Sequence, residues 1–403
     1  MSARERFIPI RTEDLLDLFS QQCPQQAEQF QQLGDMVQRH YHQLFFSQLN
    51  GLKTSYQSMD PDSDLLTISE KSDADAFLPQ LRNLLEKGNF EQITDETLQQ
   101  ALQEESLFKV RLEVDFDYFD EILFFYRGEQ EESATIKSLM GLRKRQLDFK
   151  TYDRVAAYVK FKDSAYFEER GIDTRLFKPG STLIKLFKNV PKADLEMLFP
   201  NAEVRMKNID KVLIGGPALI GGGVLVATKL GATLLLLGSL VSFWLGFKEE
   251  AVSIDQAALV SLAVGLGALA GHLWKQFGKF KNRKIQFMKS LSENLYFKNL
   301  DNNAGVFHYL VNMAEEEECK EVLLAYFILG QKNDINNADS LDSAVESWLR
   351  EKAQLDLDFE IDDALDKLRS LGLTAEMNGN FSAISLDRAI EKMQEHWQSF
   401  TDY

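Results

Sequence analysis

An α+β membrane protein is the fold class this sequence predicts: a helical N-terminal region, a small antiparallel sheet domain, a transmembrane helical hairpin, and C-terminal helices ending in a winged-helix-like module. Three observations predict it. Apolar residues recur at three- and four-residue spacing near the N-terminus, they alternate with polar ones between residues 108 and 205, and nearly all the excess hydrophobicity sits in one Gly-rich block at 212–277. A chain of 403 residues has room for two or three cores. The expected parts are 1–105 (helical), 106–211 (α+β, cytoplasmic), 212–277 (membrane block), 278–330 (helical) and 341–403 (acidic, winged-helix-like).

In the first part, Leu33, Met36, Val37, Tyr41, Leu44 and Phe45 share one helical face, so a core-forming helix is expected there. Asn50-Gly51 and the stretch from Met59 to Asp64 are read as breaks between helices. From Phe108 onward, FKVRLEVDFDYF, EILFFYRG, DRVAAYVKFK, TLIKLFK and AEVRM read as strands of an antiparallel sheet. A short helix is expected between Pro191 and Pro200.

The apolar block holds residues 212–247, with Lys229 as its single charge, and residues 257–277, charged at Lys275 near the end. The first stretch exceeds what one straight crossing of a roughly 30 Å hydrocarbon layer needs. Two spans are therefore expected, 230–247 and 257–277, with 212–228 re-entrant or interfacial because Gly215-Gly216-Pro217 and Gly221-Gly222-Gly223 interrupt it. A three-span arrangement, in which 212–228 also crosses, is the alternative. Lys and Arg before and after the block, set against an acidic connector at 248–255, place both flanks on the cytoplasmic side of a bacterial inner membrane. Gly267, Ala268 and Gly271 would let the two spans pack closely. Lys229, His272 and Pro217 are the membrane-functional candidates: an ionisable group at membrane depth marks pathways, and a Pro/Gly break lines them, although an interfacial lysine and a packing histidine are the plainer readings.

Composition excludes several classes. A net charge of −17 argues against nucleic acid as the main partner, since phosphate binding runs on Lys and Arg releasing counterions. Cys23 and Cys319 supply neither a disulfide framework nor a zinc spacing. No phosphate loop, G-x-S-x-G, HExxH or EF-hand spacing occurs, so neither a catalytic residue nor a cofactor is assigned. Two acidic groups have the composition of metal sites: Glu113, Asp115, Asp117, Asp120 and Glu121, and Glu317 with Glu321 and His308. Both read better as solvated charged faces.

The C-terminal third is expected to hold two helices joined by the Asn302-Asn303-Ala304-Gly305 turn, then helix, helix, an Asn378-Gly379 hairpin, and a final helix aligning Leu386, Ile390, Met393 and Trp397. That order resembles a winged helix. With fourteen Asp or Glu against six Lys or Arg in 341–403, the module suits protein rather than DNA.

The segments FKNVPKADLEMLFP (187–200), KLGATLLLLGSLVSFWLG (229–246), KFKNRK (279–284) and NLYFKNLDNNAGVFHYLVNMAEEEECKEVLLAYFIL (294–329) resemble bacterial members of the transmembrane protein 143 family, also known as domain of unknown function 3754. The resemblance implies a membrane protein without established activity and carries no catalytic residues. The functional expectation is a membrane-tethered interaction or scaffold protein, with the lipid bilayer and protein partners as its contacts and homo-oligomerisation as an option. A channel or transporter subunit and a membrane-bound enzyme are the alternatives.

Overall fold

The computed structural model describes residues 5–64, 74–103, 111–138, 143–205, 242–245, 256–331, 337–377 and 380–401. The chain divides into two compact units that are discontinuous in sequence: Met1–Ala101 with Phe116–Lys192 and Lys298–Tyr403, and Leu102–Asp115 with Ala193–Phe297.

The first unit is mixed helix and sheet. Its sheet has five antiparallel strands, in the order β1 (Glu91–Gln92), β3 (Phe119–Ser138), β4 (Arg143–Phe161), β5 (Thr182–Pro191) and β7 (Asn299–Asn302). Phe125 stands opposite Ala156, which stands opposite Leu186; Leu123, Tyr158 and Ile184 form the next row. With a side-chain period of two, this register puts Phe125, Ala156, Tyr158, Ile184 and Leu186 on one face, and they join the main core. Strands β3 and β4 run 20 and 19 residues, well beyond the sheet, because β4 meets β5 only as far as Thr151↔Pro191.

The helices of this unit are α1 (Thr12–Gln22), α2 (Ala27–Tyr56), α3 (Ala74–Lys87), α4 (Asp95–Gln103), α5 (Ser164–Arg170), α7 (Ala304–Gln331), α8 (Ala338–Ala353), α9 (Ile361–Ser370) and α10 (Leu386–Thr401). Helix α7 is central, packed by α1, α2, α3, α8 and α9. From Glu317 to Leu329 every residue of it is buried, as expected of a helix with neighbours all round. Helix α10 lies on α2, so the C-terminal helices are part of one core rather than a separate module. They appear in the expected order, α8, α9, the strands β8 (Thr374–Met377) and β9 (Asn380–Ala383), then α10. Residues 378–379 lie outside the described residues. Tyr56 pins the end of α2 to the sheet: its hydroxyl donates to the Thr182 carbonyl at 2.6 Å and lies 3.0 Å from Asn303 Oδ1.

Three local expectations change. Helix α2 runs through Asn50-Gly51 without a break, because Leu49 and Leu52 on either side are buried and their burial outweighs the roughly 1 kcal/mol cost of one helical glycine. The turn before α7 contains a strand, β7, which adds to β5. Residues 111–113 do not join the main sheet: β2 (Arg111–Glu113) pairs instead with β6 (Glu203–Arg205) in the second unit, and a 3₁₀ helix, Lys192–Leu198, occupies the place of the short helix read between the two prolines.

The transmembrane hairpin is overturned. Among the described residues no helix is long and apolar enough to cross a membrane. The expected span 257–277 is the first half of α6 (Gln256–Lys298), one continuous helix of 43 residues whose second half carries Lys279, Lys281, Arg283, Lys284 and Lys289. The sequence shows an apolar run there, but the secondary structure does not end with the run, so the run is part of a long charged helix. Residues 212–228 and, apart from 242–245, the span 230–247 lie outside the described residues, and with them Lys229 and Pro217. The fold class is therefore mixed helix and sheet, with no membrane-spanning helix among the described residues.

Candidate functional site: a buried ion network beneath a polar cleft

Helix α7 carries Glu315-Glu316-Glu317-Glu318 one turn before an apolar run, a pattern that reads as a solvated face. In the structure Glu317, Glu318, Lys320 and Glu321 are only 1–4% exposed. Charges so deeply buried persist only when paired and hydrogen-bonded, and each has a partner. Lys320 Nζ donates to Glu317 Oε1 and to the Ile8 carbonyl, both at 2.5 Å. Lys367, reaching in from α9, meets Glu318 at 3.0 Å, Asp363 at 2.5 Å, and Glu321. Asn89 joins the two halves: its Nδ2 donates to Glu317 Oε2 at 3.1 Å and to Glu321 Oε1 at 3.2 Å. Asn89 has a φ of 56°, a left-handed conformation that asparagine tolerates better than most residues, just after α3.

The N-terminal segment 5–11 is laced into this network. The Glu5 carboxylate accepts from the Gly128 and Glu129 amides at 3.1 and 3.0 Å. Gly128 has a φ of 73°, and a Cβ there would sit 2.5 Å from Asp153 Oδ2, so glycine is required. The Asp358 amide donates to the Glu5 carbonyl at 2.8 Å, and Arg6 pairs with Glu360 at 2.5 Å. The Phe7 ring lies 4.0 Å from the Arg127 guanidinium and 5.2 Å from Lys320 Nζ, a double cation–π contact. The Ile8 amide donates to Glu317 Oε2 at 3.2 Å. Helix α1, whose N-cap Arg11 offers no side-chain cap, is capped from outside by Glu316 Oε1, which accepts from the Thr12 amide at 2.8 Å.

Above the network opens a cleft of about 720 Å³. Its lining includes the buried Glu318 and Glu321 together with Lys367, Asp358, Glu360, Asp362, Asp366, Tyr41, Lys87 and Arg6. Carboxylates outnumber cations, so a bound positive charge is favoured. Electrostatics follow from burial. Glu321 is pushed up to about 7, by burial first, against the pull of Lys367. Glu318 is raised for the same reason. Burial works against the Lys367 ammonium, but Glu321, Glu318 and Asp363 override it and raise its pKa. His40, on the cleft wall, falls to about 4 through burial and then through His396. A lysine held protonated in this way is no nucleophile, since that role needs a lowered pKa. The network therefore binds charge and fixes the strap, and its chemistry is electrostatic.

The residues read from sequence fare differently. Glu317 and Glu321 belong to the network, whereas His308 is exposed and elsewhere on α7. Glu113, Asp115, Asp117 and Asp120 are exposed, and among the described residues no group of three or more His, Cys, Asp or Glu is placed to hold a metal ion. His272 lies on α6; Lys229 and Pro217 fall outside the described residues. Lys367, Asn89 and Glu5 carried no sequence signal. For the α7 charges a signal did exist: Glu317, Lys320 and Glu321 are spaced three and four apart at the head of a run apolar on every side.

These features define, in the first unit, a helix-and-sheet body built around one central helix, with a strap-bound ion network beside an acidic cleft. Residues 119–305 match the model of a family described as a protein of unknown function, DUF3754. The match covers less than half of the chain: it takes in β3 to β7 and stops at the first residues of α7, leaving the network outside it. No solved structure matches.

Proposed function

We propose that this chain is an interaction protein and that the cleft seats a basic segment of a protein partner. The observation that carries the reading is the cleft itself, whose excess of carboxylates stands on a rigid floor of paired charges. A pre-formed concave site binds without the ordering cost that a flexible one incurs. Asp358, Glu360, Asp362 and Asp366 supply the attraction, and the buried Lys367 network supplies the fixed geometry. The channel reading depended on paired spans, and no described helix supplies one. We further propose the narrower kinship with the transmembrane protein 143 family, supported by the segments 187–200, 279–284 and 294–329, as a relation of sequence.

The test is fluorescence anisotropy with the full chain and two labelled decapeptides, one Lys/Arg-rich and one Glu-rich, at low and physiological salt. The basic peptide is expected to bind, the acidic one not. The variant D362N/D366N should weaken the basic peptide by about tenfold, as expected for charge pairs in a partly desolvated cleft. Equal binding of both peptides, or an unchanged affinity in a variant that melts like the parent, would overturn the proposal.

A further inference from the structure

We propose that Arg6 of the N-terminal strap is a built-in occupant of the acidic cleft, and that a basic segment binds by displacing its guanidinium from Glu360. The inference rests on the reading of the cleft as a seat for basic segments and adds how access to that seat is set. Arg6 and Glu360 both line the cleft, and Arg6 Nη1 lies 2.5 Å from Glu360 Oε1. One of the carboxylates offered to a partner is therefore already paired with a cation of the chain itself.

The strap fixes the position from which Arg6 acts. On one side of it, the Glu5 carboxylate accepts from the Gly128 and Glu129 amides, and the Glu5 carbonyl accepts from the Asp358 amide. On the other, the Phe7 ring lies against Arg127 and Lys320. Beyond it the fully buried Ile8 donates its amide to Glu317 and accepts from Lys320 at its carbonyl. With the backbone held at both neighbours, Arg6 meets Glu360 as an intramolecular ligand that loses little chain freedom on pairing. The pair itself is open to water: the Arg6 side chain is 47% exposed and that of Glu360 33%. An ion pair this exposed is weak, so the guanidinium can leave while Glu5 and Ile8 stay in place. Firm anchors around a weak pair make Arg6 a displaceable occupant.

The consequence for a partner is competition. Its cation exchanges with Arg6 at Glu360 instead of meeting a bare carboxylate, and its apparent affinity is reduced by the fraction of molecules in which Arg6 is withdrawn. Lys87 supplies the contrast. It also lines the cleft and carries the same charge, but its Nζ lies 5.3 Å from the centre of the Phe45 ring. Removing Lys87 changes the charge of the cleft without freeing Glu360.

The experiment is fluorescence anisotropy of the labelled Lys/Arg-rich decapeptide on the full chain at physiological salt, with R6Q, R6K, K87Q, E360Q and R6Q/E360Q. R6Q is expected to tighten binding about three- to fivefold, the population shift that an exposed ion pair supplies. K87Q should tighten it by less than about twofold, since a screened charge that blocks no carboxylate acts only through the field. R6K, which keeps a cation on the strap, should bind like the parent. E360Q removes the attraction and the competition together, so R6Q/E360Q should gain no more over E360Q than K87Q gains over the parent. In the unmodified chain, the Nε–Hε resonance of Arg6, assigned by its loss in R6Q, should move on saturation with the peptide; that measurement decides if R6Q melts below the parent. The inference is overturned, and the cleft reading left standing, if the peptide binds but R6Q gains no more than K87Q, if the gain persists without Glu360, or if the Arg6 resonance stays unmoved. A peptide that binds neither the parent nor R6Q overturns the cleft reading, and this inference with it.

Discussion

Replacing Lys367 by methionine keeps the stem packed against α7 and removes the ammonium that Glu318, Glu321 and Asp363 share. Glu318 and Glu321 are then buried without their ion-pair partner, the situation in which a broken buried pair costs about 3–5 kcal/mol. The loss should depend on pH, and its direction follows from Glu321. Burial raises that carboxyl from 4.5 to about 7 in the native protein. A raised acid pKa means that the native state holds its proton more firmly than the unfolded one. In the parent, stability from this group is complete below pH 4.5 and is lost as pH rises through about 7, at 1.36 kcal/mol per pH unit, or about 3 kcal/mol in all. Without Lys367 the carboxyls need protons still more. Lys367→Met should therefore cost about 3–5 kcal/mol at pH 8 and at least 1 kcal/mol less at pH 5. Urea unfolding followed by tryptophan fluorescence at both pH values measures it, and Glu321→Gln should flatten the parent's decline between pH 5 and 8. A cost below 1 kcal/mol at pH 8, or the same cost at both, would refute the claim that Lys367 compensates buried carboxylates.

Two further perturbations test the surroundings. His40 is lowered from 6.5 to about 4, so the unfolded chain takes up its proton first; stability from a neutral His40 is complete above pH 6.5 and lost as pH falls toward 4, by up to about 3 kcal/mol. His40→Leu should flatten thermal stability across that window, with a sign opposite to Glu321→Gln. Gly128→Ala forces a side chain into a left-handed position against Asp153 and disturbs the two amides that hold Glu5. A cost of about 1–3 kcal/mol is expected, together with faster proteolysis near residue 5; a variant equal to the parent in both would show that the strap is not held there.

Much of the local structure was legible because it depends on local pattern. Leu33, Val37, Tyr41 and Phe45 follow a helical period and are buried on α2 as expected, although Leu44 on the same run is partly exposed. DRVAAYVKFK alternates as a strand should, and the C-terminal order of helix, helix, hairpin and helix follows from Asn378-Gly379 and the periodicity around it. Reading failed where a residue's setting is made by distant chain. The run Glu315–Glu318 looks solvated because polarity alone cannot reveal that α1, α3 and α9 close around it. Lys367 is 46 residues from Glu321, and Asn89 is 228 residues from Glu317.

By itself, then, the sequence determined the helical and extended periods, the acidic balance and the absence of catalytic motifs, all properties of neighbouring residues. It also showed an apolar run at 257–277, but a run of composition does not say where a helix ends, and α6 continues past it into charge. Only the tertiary structure decided that β7 completes the sheet, that the N-terminal strap threads the buried network, and that β3 and β4 outrun their neighbours. The reason is common to all three: each depends on which segments meet across long loops, and the free energy of burying charge or pairing an edge belongs to the partner as much as to the residue.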